Sequence, residues 1–120
     1  MANIAAWALF GLGFAHIVFG LIRFRKPLLE AVAAGYVGQF NQTEQRRTAF
    51  WFIILGPSLM LMGLVAVHTV ALAEFALLRQ IGSVLVGTCV AGALAFPKSP
   101  FLLGLVIGLL LLAAGYGWVV

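Results

Sequence analysis

The chain reads as an all-α integral membrane protein: a bundle of four transmembrane helices, with a short amphipathic cytoplasmic helix between spans 1 and 2. Two observations predict this. Hydrophobic residues make up 64% of the sequence and charged residues 8%, against roughly 45–50% and 25% in soluble domains. Seven of the ten charged residues are gathered in residues 23–51, and the rest of the chain is long apolar runs. A soluble chain of 120 residues has too much surface for such a composition, so the bilayer is the solvent for most of it.

The spans follow in order within a single membrane domain, residues 1–120. Residues 4–22 carry no formal charge and match the roughly 20 residues needed to cross about 30 Å of hydrocarbon. This run lacks a basic leader and exceeds the roughly 7–15 residues of a signal-peptide core, so it reads as a retained span. Residues 48–67 form the second run. Residues 75–96 form the third, with Arg79 near enough to its start to snorkel. Residues 101–119 form the fourth. Only helices close their backbone hydrogen bonds across runs of this length.

The connections carry the orientation. Arg23, Arg25, Lys26, Arg46, Arg47 and Lys98 fall on one side, against Arg79 on the other. The positive side is cytoplasmic, which puts both termini on the non-cytoplasmic side of a bacterial inner membrane. Tyr116 and Trp118 then lie in the outer aromatic belt and Trp51 near the inner one. Pro27 suits a helix start, and about two amphipathic turns follow, ending near Gly35 or Gly38. Thr43 or Thr48 is the N-cap expected for the second span. Residues 68–78 make a tight hairpin, Pro97 and Pro100 stop the third helix, and Pro57 kinks the second.

Positioned as they are, the basic residues answer to the membrane surface and not to nucleic acid. One cysteine, Cys89, excludes an intrachain disulfide. No metal site or cofactor is expected: His68 lies roughly 21 Å from the level of His16 at helical rise, and no Cys/His cluster has zinc spacing. Gly104/Gly108, Ser83/Gly87 and Thr88/Gly92 are small-xxx-small pairs. They read mainly as packing within one bundle, with a homo-oligomer through Gly-rich faces as the alternative.

The candidate site starts from His16. Gly13, His16, Gly20 and Arg23 recur on one helical face, and an imidazole turned to lipid is costly, so this face looks inward. Counting equal depths along straight helices brings Trp51, Ser58, Thr88 and Cys89 to the level of His16. The expected pocket is therefore lined by His16, Trp51, Ser58, Thr88 and Cys89, with Arg23 and Arg47 at its mouth. Apolar walls with a few polar groups suit a lipophilic small molecule. Each residue also has an ordinary structural reading: Ser58 and Thr88 bonding their own helix backbone, Cys89 as a small hydrophobe, Trp51 as an interface anchor.

A resemblance adds to this. His16-x-x-x-Gly20, Pro27-Leu28, Gly35, Arg47-x-x-x-Trp51-Phe52, Gly56, Gly63 and Pro97 followed by Ser99 resemble the small bacterial four-span proteins grouped as a domain of unknown function. These are DoxX-like in size and layout. The resemblance implies a four-helix membrane fold, brings no activity, and makes His16, Arg47 and Trp51 the positions to watch.

The expected function is binding of a lipophilic small molecule around His16. The imidazole would serve as polar anchor or as catalytic acid/base for isomerisation or cyclisation of an isoprenoid-like substrate. A small proton-coupled transporter and a non-catalytic assembly partner of another membrane protein are the competing expectations.

Overall fold

The computed structural model describes residues 1–97 and 101–118. The expected turn at residues 98–100 and the end of the fourth span at Val119 lie outside the described residues. Those described form five helices: α1 (Ala2–Arg23), α2 (Arg25–Ala33), α3 (Glu44–Ala71), α4 (Phe75–Ala95) and α5 (Phe101–Gly115). α1, α3 and α4 are long and apolar enough to cross a membrane. α5 has 15 residues, roughly 22 Å at helical rise, and is shorter than the run expected there.

The boundaries of α1 and α3 move outward from the charge-free runs and that of α5 inward, for identifiable reasons. α3 starts at Glu44 because the Thr43 hydroxyl accepts the Arg46 amide at 3.1 Å. Of the two expected caps, Thr43 is the one used, and the polar turn before residue 48 is already helix. α5 stops at a Schellman turn: Trp118 N donates to Ala113 O and Gly117 N to Ala114 O, with Gly117 at φ +76°. The same pair of bonds ends α3, where Glu74 N reaches Thr69 O and Ala73 N reaches Val70 O. There the left-handed residue is Ala73, at φ +54°, a conformation costing an L-residue roughly 1–2 kcal/mol. That turn makes the expected tight hairpin. Pro57 lies inside a continuous α3.

Packing is by pairs. α1 lies chiefly against α3 and α4 against α5, and the two pairs meet mainly through α1 and α5. Glycines set the separation in both. A Cβ on Gly13 would sit 2.5 Å from the Gly56 carbonyl oxygen and 2.6 Å from the Met60 amide nitrogen. In the second pair, a Cβ on Gly82 would sit 2.6 Å from the Leu112 amide nitrogen. The core starts at one end of the bundle, where Ala2, Ala5, Leu9, Ala66, Leu78 and Leu111 cluster, and continues between α4 and α5 through Leu85, Ile107 and Cys89. At that same end Arg79 donates to the Gly115 carbonyl at 2.9 Å and lies 5.3 Å from the Tyr116 ring centroid. Arg79 thereby satisfies a carbonyl in the last turn of α5.

The glycines differ in what they would tolerate. Gly13→Ala must force two backbones apart and is expected to lower stability in detergent by roughly 1–3 kcal/mol. Gly87 has nothing within 4 Å of an added Cβ, so Gly87→Ala is expected to leave the monomer unchanged or slightly more stable. Thermal unfolding followed by circular dichroism checks the pair.

Candidate ligand groove

The Gly13 face of α1 does turn toward α3, and with it His16. Gly13 and Gly20 are both buried, and a Cβ on Gly20 would lie 2.8 Å from Cδ1 of Phe52. That absence of side chain lets the His16 ring stack on Phe52, centroids 3.9 Å apart and planes 16° from parallel. Phe52 also meets Phe24 at 5.2 Å and Phe19 at 5.9 Å, so one α3 ring gathers three aromatic groups of α1 and its C-cap. The Nε2 atom of His16 is buried without a hydrogen-bond partner. Arg23, at the end of the same face, is exposed, its guanidinium 5.6 Å from the Phe24 ring centroid.

The pocket expected from equal depth does not assemble. Ser58 and Thr88 are exposed on the outside of the bundle, and the Ser58 hydroxyl donates to its own helix, at Ile54 O, 3.4 Å away. Cys89 is buried against α5, where a Cβ on Gly104 would meet its Sγ at 2.7 Å. Trp51 is 66% exposed. On α3 depth counting comes close, since His16 meets Phe52, the residue after Trp51. It does not give azimuth, and each step along a helix turns the side chain by about 100°. That single step puts Phe52 inside and Trp51 outside.

What forms instead lies at the polar end of α3. Two adjoining grooves share Arg47 and Trp51, which stand one turn apart on the same face. The first, about 370 Å³, is walled by Tyr36, Phe40, Asn41 and Phe50. The second, about 610 Å³ and more open, adds Glu44, Thr48 and Phe52. Neither lining includes His16; it reaches the second groove only through Phe52.

The loop between α2 and α3 is held by rings and arginines. Tyr36, Phe40, Phe50 and Trp51 contact in sequence, with centroids 5.2, 5.4 and 5.4 Å apart. Tyr36 has φ +66° just after the Schellman turn that closes α2 at Gly35. Arg46 Nη1 donates to Gln39 O at 3.3 Å and Gln39 Oε1 at 3.4 Å. Arg47 Nη1 donates to Asn41 O at 3.2 Å. The recorded partners of both arginines are neutral loop groups rather than Glu30 or Glu44. Sequence reasoning missed Glu44, Phe52 and the aromatic loop. Glu44, Thr48 and Trp51 recur at helical spacing beside Arg47, a signal that was available once the helix was extended back to residue 44.

The remaining small-residue pairs divide. Gly104 and Gly108 serve α4–α5 packing, Gly92 faces Phe101, and Ser83, Gly87 and Thr88 turn outward. His68 is exposed in the last turn of α3, and its Nδ1–H donates to Leu64 O at 2.8 Å. Among the described residues no three His, Cys, Asp or Glu side chains gather as metal ligands would.

The family DUF6463, described as a family of unknown function, matches residues 1–118. The chain belongs to that family, in keeping with the resemblance to an uncharacterised group. No curated protein matches, and no solved structure does.

Because Arg46 ties the loop to α3, Arg46→Ala is expected to raise local opening of residues 39–43 by roughly 1 kcal/mol, about fivefold faster amide exchange. Hydrogen–deuterium exchange in detergent measures it, with exchange in the α4–α5 pair unchanged.

Proposed function

We propose that this member of DUF6463 is a multi-pass protein of the cytoplasmic membrane that binds an amphiphilic small molecule at the Arg47–Trp51 grooves. Its head would sit at the loop and its apolar tail along α3. One observation carries the reading: a cation and an exposed indole, one turn apart, are common to both grooves. They stand where a polar loop gives way to an apolar helix. Apolar lining with a few polar groups is the ordinary composition of small-molecule sites, and an indole suits the boundary between head and tail.

In this reading the site lies at the mouth of the bundle rather than inside it. His16 acts as a positioning residue, stacking on Phe52 from the side away from the ligand. Its buried, unpartnered Nε2 favours binding over acid/base turnover, because a reacting atom would have to displace Phe52 first. α5 serves as the fourth span, packed along α4, and α2 lies on the cytoplasmic surface with Arg25 and Lys26. Both termini are then outside.

The topology is tested by cysteine labelling in a Cys89→Ser background. Asn41→Cys is expected to react with a membrane-impermeant maleimide only after lysis, and Leu72→Cys in intact cells. The opposite pattern inverts the assignment.

The ligand is tested by native mass spectrometry of protein purified in mild detergent. Arg47→Ala and Trp51→Ala are each expected to reduce retained amphiphile about tenfold or more, the indole alone contributing roughly 1.5–3 kcal/mol of apolar burial. Ser58→Ala and Thr88→Ala should retain it fully. Equal retention by all four variants defeats the proposal.

A further inference from the structure

We infer that the head taken by the second groove is zwitterionic: a phosphate diester carrying a primary ammonium, as on an aminophospholipid. The phosphate would lie on Arg47 and the ammonium on Glu44. This rests on the amphiphile-binding reading above and adds the class of head.

Glu44 and Arg47 are three residues apart at the start of α3, and both line the same groove of about 610 Å³. Opposite charges at that spacing are placed to pair on a helix. Yet the guanidinium donates to the Asn41 carbonyl instead, on the side of the first groove. The second groove therefore presents a positive and a negative group side by side, both exposed. Of the guanidinium's five N–H donors, the Asn41 carbonyl takes one at Nη1.

Charge complementarity then selects among heads. A purely anionic head gains Arg47 but meets the Glu44 carboxylate at the same rim. A purely cationic head has the converse conflict. A head with both charges a few ångströms apart satisfies both, and a primary ammonium donates hydrogen bonds that a carboxylate accepts strongly. A quaternary ammonium has no N–H to give, and loses that part. Thr48, in the same lining, offers a hydroxyl to the phosphate, and Trp51 with Phe52 continues the groove as an apolar floor for the chains. The nearby Arg23, Arg25 and Lys26 are exposed and attract anionic surfaces without selecting a head. The preference proposed here thus runs against the general field of this end of the molecule.

The test is competition. Full-length protein in mild detergent is equilibrated with equal amounts of phosphatidylethanolamine, phosphatidylglycerol and phosphatidylcholine of matched chains, and retained lipids are counted by native mass spectrometry. The wild type is expected to hold the ethanolamine lipid at least about fivefold over each competitor. Glu44→Gln is expected to lose the preference, retention of the ethanolamine lipid falling to within about twofold of its competitors, and Glu44→Asp to keep most of it. An acid in the first turn also stabilises the helix. If Glu44→Gln only lowers the melting temperature and leaves the lipid ratio unchanged, the inference is overturned. A wild-type preference for phosphatidylglycerol overturns it too, while leaving the binding reading in place. No retained lipid of any kind removes both.

Discussion

Two backbones passing almost in contact, at Gly13 of α1 and Gly56 of α3, set the rest of the arrangement. In a bilayer, helices gain little by hiding apolar surface from an apolar solvent, so close approach at small residues is what holds them together. Once Gly13 and Gly20 are against α3, the rotation of both helices about their axes is settled. His16, on the same face, must then lie over α3. It finds Phe52 there. Trp51, the preceding residue, is necessarily carried round to the outside. The stacked imidazole and the exposed indole are two outcomes of one packing constraint.

The two ends of the molecule are built differently. At one, small and branched apolar side chains from α1, α3, α4 and α5 close into a shared core, and Arg79 fastens α4 to the last carbonyls of α5. At the other, contacts are between rings and between arginines and loop carbonyls. Aromatic edges leave gaps that aliphatic cores do not, and the grooves lie among them.

Much of the fold was legible because its signals are one-dimensional. Charge-free runs mark the helices to within a few residues, and Gly13, His16 and Gly20 at helical spacing mark the face that turns inward. Residue type alone narrowed the cap of α3 to Thr43 or Thr48, and the Arg46 amide selects Thr43. The candidate site was legible only in part. Arg47 and Trp51 stand in the expected list and in the grooves. Ser58 and Thr88 do not, because equal depth says nothing about rotation about the helix axis. The loop was the least readable. Its path depends on Tyr36 adopting a left-handed backbone and on rings meeting across sequence gaps, and neither leaves a periodic trace. Cys89 came out as its simplest reading has it, a buried small side chain filling space beside a glycine.

The length of α3 explains why the polar groups of the grooves are presented so firmly. Its 28 residues extend roughly 42 Å at helical rise, against about 30 Å of hydrocarbon. A helix with surplus length can tilt, but Glu44, Arg46 and Arg47 cannot enter the acyl region cheaply, so the surplus falls at the charged end. On the proposed topology the first turns of α3 would stand in the headgroup layer as helix, with Thr43 supplying the cap. Side chains carried by a helix keep their mutual geometry better than those on a free loop. Arg47 and Trp51 are thus held at a constant separation, and in the proposed orientation one would meet lipid heads and the other, a turn on, the chains. That offset matches the way an amphiphile is itself divided.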